Sequence, residues 1–102
     1  MKHVAFKMRL KPGMGNEYKR RHDALWPEVR QLLLDSGIRE YAIFFDPETD
    51  IVFAVHNYST EQGVNLKNED VLQLWWDYMA DIMDVNPDNS PVIIPMLQVF
   101  EL

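Results

Sequence analysis

Two side chains able to transfer protons lie one helical turn apart in residues 18–28, YKRRHDALWPE. Tyr18 and His22 are four positions apart, so on a helix the phenol and the imidazole share one face. An unperturbed histidine titrates near pH ~6.5 and can give or take a proton at neutral pH. The pair is therefore a candidate acid–base site. The alternative is two packing residues, an imidazole bonded to backbone groups and a phenol with a solvated tip.

A proline interrupts the same helical region. Hydrophobic periodicity predicts a helix over 15–36, and Gly37 follows it in the position of a C-cap. Pro27 lacks an N–H and biases Trp26 away from helical angles. We expect a kink or break just past His22, which would create a concave surface beside the imidazole. Alternatively, Pro27 starts a second helix at its first position.

Further candidates for a binding site lie in a tryptophan pair, a strand and a loop. Trp75 and Trp76 point about 100° apart on a helix, so we expect one to pack and the other to line a cleft or an interface. Indole rings suit the apolar faces of sugars, although two bulky packing residues explain the pair as well. Tyr41 lies near the start of an internal strand, from which its hydroxyl could reach the same cleft. The loop 86–91, NPDNSP, carries groups able to bind a polyol, but turn formation explains it equally.

Composition argues against several classes of protein. The net charge is -6 and the basic residues cluster only at 19–21, so we expect no nucleic-acid partner. The three histidines, His3, His22 and His56, lack ligand spacing and no glycine-rich phosphate loop occurs, so we expect neither a metal nor a cofactor. No apolar run reaches the ~20 residues of a membrane helix, and the first residues alternate like a strand and unlike a signal peptide. Cysteine is absent, which fits a cytoplasmic location.

The hydrophobic pattern predicts six elements in the order strand, helix, strand, strand, helix, strand. Strands are predicted at 4–10, 38–46, 51–58 and 96–102, and helices at 15–36 and from near Asn68 through 71–83, with Thr60 as an earlier candidate cap. This order is the split βαβ, ferredoxin-like arrangement, an α+β fold with two helices on one face of an antiparallel sheet. The length fits a single domain over residues 1–102.

Both faces of the predicted hairpin carry apolar side chains. Tyr41, Ile43 and Phe45 point to one face, whereas Ala42 and Phe44 point to the other. Two helices can cover only one of these faces. We therefore expect the other face to meet a second copy, sheet against sheet, in a two-fold homodimer. Monomers also carry some poorly covered apolar residues, which is the alternative.

Three motifs together resemble those of the L-rhamnose mutarotase family, which are small cytoplasmic sugar isomerases. They are YKRRHDALWPE, YAI at 41–43 and WWDYMADIMDVNPDNSPV at 75–92, and the likeness covers nearly the whole chain. The resemblance implies a dimeric ferredoxin-like fold of the dimeric α/β-barrel type. By motif position it implies that His22 is the catalytic proton donor and that four residues bind the sugar, namely Tyr18, Tyr41, Trp75 and Trp76.

The activity implied by this resemblance is a cofactor-free interconversion of the α and β anomers of L-rhamnose. The hemiacetal ring opens and recloses, with His22 protonating the ring oxygen and Tyr18 and Tyr41 orienting hydroxyls or relaying the second proton. A tryptophan face would hold the apolar side of the 6-deoxy sugar. The same fold also hosts binding modules and cofactor-free monooxygenases, so a dimeric small-molecule binding module or a monooxygenase-like protein is the alternative.

Overall fold

A computed structural model of the protein describes residues 2–58 and 70–102. Its elements are β1 (Lys2–Arg9), α1 (Gly15–Asp23), α2 (Pro27–Asp35), β2 (Ile38–Asp46), β3 (Ile51–Tyr58), α3 (Asp70–Met79) and β4 (Ile94–Pro95). The strands form one antiparallel sheet in the order β2-β3-β1-β4. The first and third strands therefore lie side by side at the centre, as the split βαβ arrangement requires. The predicted α+β fold is confirmed. The proposed cap at Thr60 and the restart near Asn68 lie outside the described residues.

The helical region breaks where the proline predicts. Trp26 has φ -60° and ψ 131°, which is extended backbone, and α2 begins at Pro27. The proline therefore separates two helices and occupies the first position of the second. The alternative prediction, that Pro27 starts a second helix, is the one observed. The single predicted helix becomes two helices of nine residues each. Gly37 follows α2 with φ 94°, a left-handed conformation that glycine adopts without steric cost.

The β2–β3 hairpin presents two different faces. Its four-residue turn is closed by the Asp46 carbonyl, which accepts the Asp50 N–H at 3.0 Å. Val52 and Ala54 are completely buried on the face that packs against the helices. Phe44 on the opposite face is 63% exposed. The predicted pair of apolar faces is confirmed for β2 and β3.

Two predicted element boundaries are wrong. The strand expected at 96–102 is absent, because β4 ends at Pro95 and only the Met96 N–H continues the pairing, to the Ala5 carbonyl at 2.9 Å. Residues with high strand propensity form a strand only where neighbouring strands pack against them. Val99 is 93% exposed, so this segment has no such packing within the described residues. The helix expected to reach residue 83 ends at Met79.

The early end of α3 follows from competition for its backbone. Past Met79 the Ile82 carbonyl accepts the Lys11 N–H at 2.9 Å, and the Asp84 N–H donates to the Arg9 carbonyl at 2.9 Å. These bonds join the chain after α3 to the end of β1 and replace the helical bonds that would have continued. Among residues 2–58 and 70–102, no helix is long and apolar enough to cross a bilayer.

The core lies between the sheet and the helices. Its buried residues come from β1, β3 and all three helices, and include Phe6, Met8, Tyr18, Val29, Val52, Ala54, Trp75 and Met79. Helix α1 begins very close to the sheet, since a Cβ atom built on Gly15 would lie 2.5 Å from the Phe45 ring. A glycine at this position leaves room for the Phe45 ring beside the first residue of α1. Tyr18 on this helix belongs to the core, and His22 one turn later is half-buried.

Candidate active site

A cavity of about 820 Å³ opens between the sheet and the helices. Its lining includes all five candidate residues from the sequence, Tyr18, His22, Tyr41, Trp75 and Trp76. They come from α1, β2 and α3, so the fold brings together side chains that are up to 58 positions apart in the chain. The loop 86–91 contributes Asn89 and Pro91 to the same lining. The volume and the mixture of aromatic and polar walls are typical of a small-molecule site.

Tyr18 fixes both the ring plane and the tautomer of His22. The two rings stack with 4.2 Å between centroids and 23° between planes. The His22 Nδ1 atom lies 3.1 Å from the Tyr18 backbone carbonyl oxygen. A carbonyl only accepts, so Nδ1–H is the donor and Nε2 is the nitrogen that exchanges protons. Burial lowers the pKa of His22 below 6.5, partly offset by this bond and by Asp23, so the imidazole is mainly neutral at pH 7.

A second tyrosine–histidine pair stands on the sheet side of the cavity. Tyr41 on β2 stacks on His56 of β3 with 5.1 Å between centroids and 24° between planes. His56 is 8% exposed, and burial lowers its pKa below 6.5. His56 also lines the cavity, although it is not among the five candidate residues from the sequence. Its register could have indicated this, because His56 follows Val52 and Ala54 at alternate positions and so shares their inward face.

Both phenols remain protonated at neutral pH. Burial raises the pKa of Tyr41 to about 12, although the residue as a whole is 40% exposed. The pKa of Tyr18 is raised as well, chiefly by burial and further by the nearby Tyr41. A protonated phenol donates a hydrogen bond, and it accepts a proton only while giving up its own. The two tyrosines are therefore suited to orient hydroxyl groups and to relay protons.

The tryptophan pair gives the cavity an indole wall. Trp75 is 7% exposed and meets His22 edge to face, with 5.5 Å between centroids and 86° between planes. It also meets Trp26 edge to face at 5.1 Å. Trp76 is half-buried. The prediction that one indole packs and the other lines a cleft is therefore only partly right, since Trp75 does both and Trp76 shares the lining.

The loop 86–91 is held against α3 by side-chain amides. Asn89 Nδ2 donates to Asp77 Oδ1 at 3.0 Å, and Gln73 Nε2 donates to the same oxygen at 2.9 Å. Gln73 Nε2 also reaches the Asp88 carbonyl at 2.8 Å. Asn89 has φ 69°, which an asparagine tolerates better than most residues. The predicted turn is confirmed, and the binding of a polyol by this loop stays a prediction.

The remaining histidine lies apart from the cavity. His3 is exposed, and its Nε2 is 3.5 Å from a Glu101 carboxylate oxygen. It is not among the residues that line the cavity. In the part of the chain that the structure describes, no three histidine, aspartate or glutamate side chains form a group that could hold a metal ion.

The site combines groups that can exchange protons with walls that can hold an apolar surface. Two imidazoles and two protonated phenols share one cavity with two indoles. Such a set can move a proton onto and off a polyhydroxylated ligand while a ring face packs on indole.

Comparisons with known proteins agree with this description. A sequence model of the L-rhamnose mutarotase family matches residues 3–102. The L-rhamnose mutarotase of Bacteroides thetaiotaomicron is 53% identical over 100% of this chain and 99% of its own, and that of Formosa agariphila is 54% identical over 98% and 97%. The crystal structure of L-rhamnose mutarotase FA22100 from Formosa agariphila superposes with a TM-score of 0.94 at 52% identity, covering 100% of this chain and 99% of that one. The chain belongs to the L-rhamnose mutarotase family.

Proposed function

We propose that this protein is an isomerase that interconverts the α and β anomers of L-rhamnose. The observation that carries the proposal is the imidazole of His22, which lines the cavity between a stacked phenol and an edge-on indole. Family membership supplies the substrate, because the relatives that match over the whole chain are named as L-rhamnose mutarotases.

The reaction needs an acid and a base in one cavity. The O1–H bond breaks, and its electron pair becomes the second C1–O1 bond. The C1–O5 bond breaks, and its pair stays on O5, which takes a proton. The aldehyde then rotates about C1–C2 and closes on its opposite face with both transfers reversed. No net proton is consumed, and acid–base help of this kind is worth ~10²–10⁴ in rate.

His22 is the donor to the ring oxygen in this proposal. Its Nδ1–H is held by the Tyr18 carbonyl at 3.1 Å, so Nε2 carries the transferred proton in the imidazolium form. The Tyr18 and Tyr41 phenols, which are protonated at neutral pH, orient the sugar hydroxyls and relay the proton that leaves O1 to solvent. Stacking on His22 holds the Tyr18 ring beside the donor.

The indoles bind the less polar face of the sugar. L-Rhamnose is a 6-deoxy sugar, and its methyl group and ring C–H groups form an apolar surface. Trp75 and Trp76 supply apolar area on the wall that adjoins His22. Aromatic packing of this kind places the ring oxygen without using a hydrogen bond that the reaction would have to break.

We also propose that the protein acts as a homodimer in the cytoplasm. Phe44 and Val55 are 63% and 42% exposed on the sheet face away from the helices, and Leu97 and Phe100 are 89% and 74% exposed in the C-terminal segment. Large exposed apolar side chains of this kind are typical of an interface, and a two-fold pairing of sheets would cover those on the sheet face in both copies. The absence of cysteine means that the fold needs no disulfide, which suits a reducing compartment.

Nuclear magnetic resonance tests the activity directly. Saturation of one anomeric proton signal of L-rhamnose should decrease the other in the presence of the protein, and the exchange rate should increase in proportion to protein concentration. Heat-unfolded protein is the control. Binding of the sugar without faster exchange would instead support the alternative of a binding module.

A further inference from the structure

Arg21, the residue before His22, is a buried cation with every nitrogen engaged. Its side chain is only 9% exposed. Nε donates to a Glu17 carboxylate oxygen at 2.7 Å within α1. Nη1 and Nη2 donate to the two Asp81 carboxylate oxygens at 2.8 and 3.2 Å, and Nη1 also reaches the Tyr78 carbonyl at 2.7 Å. The guanidinium therefore joins α1 to the C-terminal end of α3.

A series of aromatic contacts connects the Arg21 guanidinium to the His22 ring. The guanidinium carbon lies 4.5 Å from the centroid of the Tyr78 ring. Tyr78 stacks on Trp26 at 5.5 Å, and Trp26 meets Trp75 edge to face at 5.1 Å. Trp75 in turn meets His22 at 5.5 Å. This series of contacts runs from Arg21 through three aromatic rings to the His22 imidazole. His22 is also the next residue in the chain, so Arg21 and His22 are connected both by the backbone and by side-chain packing.

We propose that Arg21 is the positioning residue of the site and that it sets the distance between the His22 imidazole and the Trp75 wall. Arg21 itself is not in the cavity lining, so it acts through the two helices that it joins. If the bond to Asp81 is lost, α1 and the end of α3 can separate, and the imidazole and indole that they carry separate with them. The sugar would then bind against an indole that no longer places its ring oxygen beside Nε2.

A guanidinium suits this task better than an ammonium. The bidentate geometry fixes two directions on Asp81 while Nε holds Glu17, which one ammonium group cannot reproduce. The bond to Arg21 lowers the pKa of Asp81 below 3.8, and the bond to Asp81 raises the already high pKa of Arg21. The pair therefore stays charged throughout the neutral range, and its effect on activity should not vary with pH there.

The adjacent Arg20 offers a matched control. It bonds the same Glu17 carboxylate and also interacts with the Tyr78 side chain, but it keeps its own side chain 64% exposed. Arg20→Gln removes the same charge from the same helical turn and leaves the Asp81 pair intact. A comparison of Arg20→Gln with Arg21→Gln therefore separates the effect of losing the Arg21–Asp81 ion pair from the effect of losing a positive charge.

The kinetic part of the test rests on the proposed mutarotase activity. We expect Arg21→Gln to lower kcat for L-rhamnose exchange about 10- to 100-fold relative to Arg20→Gln, because a misplacement near 1 Å costs about this much. The shape of the pH profile should not change, since His22 remains the donor. Arg21→Lys should recover only part of kcat. Wild-type kcat in a folded Arg21→Gln protein would overturn the proposal.

A second measurement does not depend on activity. The ring protons of His22 lie beside the Tyr18 and Trp75 rings, whose ring currents shift their resonances. We expect Arg21→Gln to move the His22 signal toward its value in an unstructured peptide, whereas Arg20→Gln leaves it unchanged. An unmoved signal in Arg21→Gln would contradict the positioning role even if the wild-type protein proved inactive. If Arg21→Gln fails to fold, Asp81→Asn removes the same ion pair at a carboxylate that is 66% exposed. The same changes in kcat and in the His22 ring proton signal are then expected, and their absence would contradict the proposal.

Discussion

The Tyr18 ring stacks on the His22 ring at 4.2 Å, and the Tyr18 carbonyl accepts a bond from His22 Nδ1 at 3.1 Å. One residue therefore sets both the orientation of the imidazole and its tautomer. The four-residue spacing in the helix is what makes the two contacts compatible. Nε2 is left as the nitrogen that can exchange a proton with the sugar.

The pH dependence of the rate reports which form of His22 is active. Burial lowers the pKa of His22 below 6.5, and the proposed donor is the imidazolium. The enzyme-catalysed kcat/KM for anomer exchange should therefore increase as the pH falls from 8 toward this pKa and level off below it. Saturation transfer at each pH, with the uncatalysed rate subtracted, measures the profile.

The ring proton shifts of His22 in the same samples give its pKa independently, with His22→Gln identifying the signal. A catalysed rate that stays constant from pH 8 down to this pKa and decreases below it would show that the neutral imidazole starts the reaction as the proton acceptor. Circular dichroism at each pH excludes unfolding as the cause of any change in rate.

The two adjacent indoles should respond differently to truncation. Trp75 is a core residue at 7% exposure, so Trp75→Ala should lower the free energy of unfolding by about 3–5 kcal/mol. Trp76 is half-buried, and Trp76→Ala should cost less stability. Its main effect should be a roughly three- to tenfold increase in KM, as expected for the loss of one aromatic contact with the sugar.

Denaturation curves and exchange kinetics on both variants measure these two effects. Equal losses of stability would mean that Trp76 is as much a core residue as its neighbour. An unchanged KM in Trp76→Ala would remove this indole from the proposed sugar wall.

A charge on the outer sheet face should prevent dimerisation. Phe44 is 63% exposed in the single chain, so Phe44→Lys removes little packing within it. We expect this variant to have the mass of one 12.1 kDa chain by light scattering, whereas the wild type has twice that mass. Gln31→Lys adds the same charge on the exposed surface of α2 and should remain a dimer. A wild-type protein that elutes as a monomer would refute the sheet-face interface.

Acid should weaken the α1 charge network. The bonds from Arg20 and then Arg21 lower the pKa of Glu17 from 4.5 to about 2. A carboxylate with a lowered folded-state pKa stabilises the fold above its unfolded-state value, and this contribution is lost as the pH falls through the folded-state value. The free energy of unfolding should therefore decrease from about pH 4.5 toward about pH 2, and less so in Glu17→Gln. Urea denaturation at several pH values measures this difference, and identical curves would exclude a role for Glu17.

Features that depend on neighbours in the sequence were the ones that could be predicted. The break at Trp26 and Pro27 follows from the local sterics of proline, and the left-handed Gly37 follows from its place after a helix. The inward face of β3 follows from alternation, and the same reasoning extended by two positions would have placed His56 in the cavity. The five candidate residues, taken from helical spacing and from family likeness, all line one cavity.

Features that depend on distant contacts could not be predicted. Arg21 looked like one of three surface cations, and its partner Asp81 lies 60 positions away. The end of α3 at Met79 is set by backbone bonds to Arg9 and Lys11, which no helical pattern contains. The segment 96–102 has the composition of a strand, but past Met96 no strand among residues 2–58 and 70–95 lies beside it, so propensity alone gave the wrong answer.

The most direct test of the account is anomer exchange in His22→Ala. His3→Ala is the matched control, because His3 is exposed and outside the cavity lining. Both variants should keep the circular dichroism spectrum of the wild type. We predict that His22→Ala lowers catalysed exchange of L-rhamnose by ~10²–10⁴ while His3→Ala retains the wild-type rate. Undiminished exchange in a folded His22→Ala protein would contradict the central claim that this imidazole donates the proton.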